Sequence, residues 1–401
     1  MVNPDIAPLL DRVRALIDSP RNRALYASWP ERIDPPYGEF GPAYYWFPRP
    51  VNQNGRIPYV LEIEPAMWHR VLGVDLQQFY TEPATYLANW LRIALYRYEH
   101  FNADVPLTPA IDIDFGSVFV QSLFGVDVIY AAEEAPWNGL EPVWKTEADF
   151  ASAKMPDFHR SGLAPLAHRF YAELSALVGP DFRVHFVSWR KGPFSLLVYL
   201  RGFEQLLVDL YERPALVHAM MRFVVEAMQQ WYAERKAFLG EARFGPIFLG
   251  NDEVSTPSLS PALYEEFVLP YEIELSRYFG GIDYWHSCGD TTRLAPLIAR
   301  IPNVHMFDVG PWTQLAPAVE VYRQVPNASI MRRINPIDTV MMASPEQMLA
   351  PLHEVRRVCA GVIPTMVMYD GLNYIKDWQA DLEKIQQLDR ACHRILHNTI
   401  E

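Results

Sequence analysis

The sequence predicts an α/β protein, a (β/α)₈ TIM barrel with an N-terminal helical and loop extension, and three observations lead there. Past residue 107, short apolar runs alternate with longer helical patterns, which is the signature of parallel βα units. Seven such runs are visible, close to the eight of a closed barrel. The chain of 401 residues is also long enough for one large barrel plus an addition, and half of it is apolar.

Residues 1–106 read as the extension covering the barrel. An amphipathic helix is expected over 4–17 and a longer one over 82–100. Between them, residues 35–48 hold six prolines and glycines interleaved with aromatics, which suits a packed loop able to roof a pocket. Residues 107–401 form the barrel domain, with strands expected at 110–115, 184–188, 247–251, 284–286, 304–307, 329–332 and 365–368. Helices are expected over 214–239, 261–279, 292–300, 345–358 and 377–397. No fixed-period repeat or Gly/Ser linker interrupts this second part.

Composition excludes several functions. A formal charge of −13 with no basic stripe argues against a nucleic-acid partner, whose phosphates demand a positive surface. No run approaches the roughly 20 apolar residues of a membrane helix. The opening residues show neither the charged nor the apolar part of a secretory leader, so a cytoplasmic location is expected. Three cysteines, at positions 288, 359 and 392, are too few for a disulfide framework.

In a parallel barrel the chemistry sits where strands end. Polar residues fall at these points as Asp112 and Asp114, Arg190 and Lys191, Asp252 and Glu253, His286 and Cys288, Asp308, Arg332 to Asn335, and Tyr369 with Asp370. His286 and Cys288 stand out. Alternate residues at a strand end point the same way, and imidazole nitrogen and thiolate sulfur are both good zinc ligands. By spacing alone the pair is a weak motif, and a third ligand has to come from elsewhere. His185 and His305 read as structural, the first within an apolar run and the second at the start of a strand.

Further motifs resemble the uroporphyrinogen decarboxylase superfamily. In chain order they are Lys191-Gly192-Pro193-Phe194-Ser195, residues 206–214 (LLVDLYERP), Ser260-Pro261, residues 267–271, His286-Ser287-Cys288-Gly289 and Asn335-Pro336-Ile337-Asp338, covering about residues 105–400. His-x-Cys-Gly at this place is similar to the branch of zinc-dependent, corrinoid-linked methyltransferases that use coenzyme M or related acceptors, and to O-demethylase components. True decarboxylases lack it and carry an arginine-rich Met-Arg-Gln-Ala-Gly-Arg motif; here Arg21-Asn22-Arg23 has no comparable context.

The resemblance implies zinc, and a corrinoid carried by a partner protein. It also implies a third ligand at the end of the last strand, where the superfamily has a cysteine followed by glycine. This chain has Asp370-Gly371 there, so the implied metal set is His286, Cys288 and Asp370. Tyr369 and Cys359 are competing third ligands. Asp252 and Glu253 are each expected to act as a fourth ligand or a proton acceptor, with Tyr369 as a further catalytic candidate. Arg333, Asn335 and Arg190 are expected to bind substrate, and an arginine in the pocket would favour an anionic one. The leading function is methyl transfer between a small thiol or aryl methyl ether and a corrinoid protein. A metal-independent decarboxylase or lyase and a non-catalytic binding barrel are the alternatives.

Overall fold

The computed structural model describes residues 6–27 and 55–397. Residues 35–48, expected to roof the pocket, lie outside the described residues. Eight parallel strands carry the fold: β1 (Tyr59–Ile63), β2 (Ala110–Asp112), β3 (Arg183–His185), β4 (Ile247–Gly250), β5 (Ile282–His286), β6 (Val304–Val309), β7 (Ser329–Ile334) and β8 (Thr365–Leu372).

Six of them form one parallel sheet in the order β1-β8-β7-β6-β5-β4, while β2 pairs with β3. A parallel bridge from Lys191 to Gly250 links the segment after β3 to β4 through Gly250 N–H to Arg190 O and Gly192 N–H to Gly250 O, each 2.7 Å. The approach is so close that a Cβ on Gly250 would lie 2.7 Å from the Arg190 carbonyl oxygen. Among the described residues the ladder does not continue from β1 to β2, so the architecture is α/β with a curved parallel sheet and a separate strand pair.

β1 is the strand that sequence patterning missed. All five of its residues are buried, so it has no apolar-polar alternation, and Glu62 interrupts its apolar run. It lies inside the segment expected to be only a cover, so the boundary at residue 106 does not separate extension from sheet: β1 pairs in register with β8, Val60 opposite Met368. Helices Pro65–Leu72, Leu76–Thr81 and Pro83–His100 follow it.

The helix expected over 261–279 is broken into Pro261–Phe267 and Leu269–Phe279. Pro270 lacks an N–H and fits the first turn of the second piece, so the ladder restarts at Val268. The segment 292–300 contains a single short helix, Ala295–Ile298. No helix among the described residues is long and apolar enough to cross a membrane.

Strand alternation divides the buried residues into two sets. Trp285, Phe307, Val367 and Tyr369 pack outward in the large sheet–helix core. Val60, Tyr284, Met306, Met331, Met366 and Met368 turn inward and form a separate apolar cluster with Phe248. Methionine suits that crowded interior because its unbranched chain fills irregular gaps. One inward step further along the strands, the apolar plug gives way to Glu62, Gly250, His286, Asp308, Arg333 and Asp370. This change in polarity is the floor of the site.

Candidate metal centre

His286 is the last residue of β5, facing a cavity of about 240 Å³ at the C-terminal ends of the strands. Its Nδ1 lies 2.7 Å from Asp308 Oδ2, and its Nε2 lies 2.7 Å from Asp252 Oδ1. Asp308 is buried, and the same oxygen accepts from Ser287 N–H at 3.1 Å and from Arg333 Nη1 at 3.2 Å. A carboxylate fixed in this way accepts from Nδ1–H and aims Nε2 at the cavity, as outer carboxylates commonly do for metal-binding histidines.

Cys288 follows two residues on, with Sγ 3.4 Å from His286 Nε2 and 3.2 Å from Asp252 Oδ1. The ligand atoms of Asp252, His286 and Cys288 all lie within 4.8 Å of one another. The intervening Ser287 holds the turn: its hydroxyl donates to Val254 O at 2.9 Å and accepts from Gly289 N–H at 3.2 Å. Gly289 is needed for space, because a Cβ there would meet the Ser255 side chain at 2.2 Å. The loop bearing Asp252 is thereby packed onto the loop bearing Cys288.

Asp252 divides its two oxygens. Oδ2 accepts from Lys191 Nζ at 2.5 Å, and Oδ1 faces His286 and Cys288. Burial by itself would raise the Asp252 pKa, but Lys191 and His286 outweigh it and hold the carboxyl well below its usual range. Burial likewise works against the charge on Lys191, and Asp252 and Glu253 overcome it, so the ammonium is retained. For His286, burial and Arg333 favour the neutral ring, yet Cys288 and the hydrogen bonds to Asp252 and Asp308 prevail and raise its pKa.

Behind the site, Glu272 of the helix Leu269–Phe279 accepts from Asn251 Nδ2 at 2.7 Å, Trp285 Nε1 at 3.1 Å and Tyr264 Oη at 2.5 Å. Asn251 and Trp285 flank Asp252 and His286 in sequence. One buried carboxylate therefore ties both ligand-bearing strand ends to the outer helix.

The other expected residues separate. Asp370 lines the same cavity but is held by the Arg333 guanidinium and is not in the three-residue ligand group. Arg333 points inward, and its Nη1 also lies 2.8 Å from His286 Nδ1. Arg190 lines the cavity, paired with Asp114 at 2.7 Å. Glu253 does not line the cavity; its carboxyl is 4.0 Å from Lys191 and faces Ser195 and Tyr199. Tyr369 is fully buried on the outer face of β8, the opposite side from the cavity, because it is odd in a strand whose even residues face in. Asn335 caps the following turn, accepting from Ile337 N–H at 2.8 Å, and does not line the cavity either. Cys359 is buried at the end of a helix, and burial pushes its thiol up to about 11.

Asp308, Glu62 and Glu64 were given no site role by sequence reasoning. Asp308 was visible as a strand-end carboxylate, but its pairing with His286 depends on the neighbouring strand. Glu62 lies in the unrecognised first strand and Glu64 directly after it.

The donor set of imidazole nitrogen, sulfur and carboxylate oxygen fits a zinc ion, with Asp308 supplying the outer hydrogen bond. Comparison with known proteins agrees with the motif order. The family model for uroporphyrinogen decarboxylase (URO-D) matches residues 65–393. The chain belongs to the uroporphyrinogen decarboxylase family. Within curated proteins, this family member is 26% identical over 207 residues to a methylated-thiol–coenzyme M methyltransferase of Methanosarcina mazei, a match covering 50% of each chain. It thus spans about half the length of that relative. Among solved structures it resembles a methyltransferase from Methanosarcina mazei, with a TM-score of 0.61 and 15% identity over 86% of this chain and 95% of that one. At that identity the likeness concerns the fold.

Proposed function

We propose that this member of the uroporphyrinogen decarboxylase family is a zinc-dependent methyltransferase, moving a methyl group between a small-molecule donor or acceptor and a corrinoid held by a partner protein. The observation that carries the reading is the convergence of Asp252, His286 and Cys288 with Asp308 behind the imidazole. The name of the Methanosarcina mazei sequence relative supports it, and the fold is shared with a solved methyltransferase from the same organism. We read the strand pair β2–β3 as completing a closed (β/α)₈ barrel around this centre, and the protein as cytoplasmic.

Asp252, His286 and Cys288 would hold the zinc ion, and Asp370 is close enough to the same cavity to remain a candidate for a further position. When bound, zinc supplies Lewis acidity toward a thiol or ether heteroatom. The protein's own residues do the rest. Lys191 keeps Asp252 ionised and oriented, and Asp308 fixes the histidine ring. Arg333 occupies the space between Asp308 and Asp370, where it neutralises carboxylates that would otherwise repel one another. The apolar methionine floor closes the inner end of the pocket against water.

Metal analysis tests the reading. The purified protein is expected to hold one zinc per chain, and His286→Ala with Cys288→Ala should lose it. Methyl transfer to free cob(I)alamin from methylated thiols and from aryl methyl ethers then identifies the donor class. An active protein without metal would instead support the lyase alternative.

A further inference from the structure

Two carboxyl groups in the cavity have no part in the ligand group. Glu62 lies on β1 and Glu64 two residues on, so both face the cavity. Glu62 is 1% exposed, and among the described residues neither of its oxygens has a side-chain hydrogen-bond partner; the Gly371 backbone N–H and the more distant Arg333 charge are what favour its ionised form. Glu64 has no ion pair among the described residues. Leaving a buried polar group unsatisfied costs about 1–3 kcal/mol, and for a carboxyl that faces a cavity a donor on an entering ligand can recover that cost.

The cations in the cavity wall already have partners. Arg190 is paired with Asp114 at 2.7 Å, Lys191 with Asp252 at 2.5 Å, and Arg333 with Asp308 at 3.2 Å and also with Asp370. An entering anion therefore meets neutralised cations and two extra carboxyls. An entering cation meets two acceptors and the aromatic rings of Phe115, Phe119 and Phe248, which line the same space.

We propose that Glu62 and Glu64 form a subsite for a cationic ammonium group on the small-molecule substrate. The inference rests on the reading of this cavity as the methyl-transfer pocket, and it reverses the expectation of an anionic substrate drawn from Arg333. Burial raises the carboxyl of Glu62, reinforced by Glu64 and opposed by Arg333, and burial raises Glu64 as well. Carrying a charge is therefore costly for both carboxyls in this setting, and a cation brought into the cavity would offset that cost.

Three probes of one shape test the subsite: benzylamine, benzyl alcohol and benzoate, each titrated calorimetrically into the wild type, Glu62→Gln, Glu64→Gln and the double variant. Benzylamine should bind at least about tenfold more tightly than benzoate. The double variant should abolish that preference while leaving benzyl alcohol within about twofold. Glu64→Gln, at the less buried position, gives a folded variant with a partial loss should Glu62→Gln fail to fold. Benzoate binding as tightly as benzylamine, an undiminished preference in the variants, or no saturable binding of any probe would overturn the subsite. The titrations are repeated after chelation and the zinc content is measured separately. A preference that survives in a protein that never held zinc would sink the methyltransferase reading and leave the ammonium subsite standing.

Discussion

His286 Nε2 and Asp252 Oδ1 lie 2.7 Å apart across the ends of the neighbouring strands β5 and β4. Asp252, expected from sequence only as a fourth ligand or a proton acceptor, is thus placed with the His-x-Cys pair, while Asp370, the expected third ligand, lies on β8, three strands from β5, and is engaged by Arg333. The two aspartates should respond differently to replacement. Asp252→Asn is expected to weaken zinc binding by at least about tenfold, and Asp370→Asn to leave it within about threefold, both read by competition against a chromogenic chelator. Equal losses would make Asp370 a full ligand.

Asp308 acts through the histidine rather than on the metal. Asp308→Asn should lower zinc affinity by about 10–100-fold, the usual effect of removing an outer partner, while the three ligand side chains remain. NMR of the imidazole should show the Nδ1–H tautomer losing its preference in the variant. An unchanged affinity would reduce Asp308 to a partner of Arg333.

Arg333 is a buried cation between Asp308 and Asp370. Arg333→Met leaves those carboxylates without their counter-charge, and breaking a buried pair in this way costs about 3–5 kcal/mol. Thermal unfolding of the variant should show a correspondingly lower Tm. A variant as stable as the wild type would mean that the carboxylates find other partners.

Burial pushes Glu272 up to about 7, against the opposing hydrogen bonds from Tyr264, Trp285 and Asn251. Its folded pKa thus exceeds the ordinary value of 4.5, so the folded chain holds this proton where the unfolded chain has released it. The resulting stabilisation is full below the unfolded pKa and is lost as pH rises through about 7. Stability should fall by on the order of 3 kcal/mol from this group between about pH 4 and about pH 8. Glu272→Gln should be less stable in acid yet show a flatter dependence over that window, measured by urea unfolding at several pH values.

Cys288 is exposed, whereas Cys359 and Cys392 are buried. Iodoacetamide applied to the folded, metal-free protein should therefore alkylate Cys288 first, and bound zinc should protect it. Peptide mass mapping reads both results. Faster labelling of either buried cysteine, or no protection by zinc, would count against Cys288 as a ligand.

Much of the frame was legible in the chain. Seven of the eight strands announced themselves as short apolar runs, and His286 and Cys288 as a pair two residues apart at a strand end. What escaped was β1, because a strand buried on both faces has no alternation to read and Glu62 breaks its apolar character. With it went Glu62 and Glu64. Tyr369 was offered as a catalytic candidate from its position in sequence, and the parity of β8 turns it to the outer core instead.

The sequence by itself determined that His286 and Cys288 would face one way, since the two-residue period of a strand is a local property of the backbone. It also placed a carboxylate or cation at nearly every strand end. Which of these groups meet was decided by tertiary structure, because strand order around the sheet and the mutual neutralisation of buried charges are non-local. That order sets β4 beside β5 and brings Asp252 to the pair. It also sets β7 beside β8, where Arg333 takes Asp370, and β8 beside β1, which brings Glu62 and Glu64 to the same cavity.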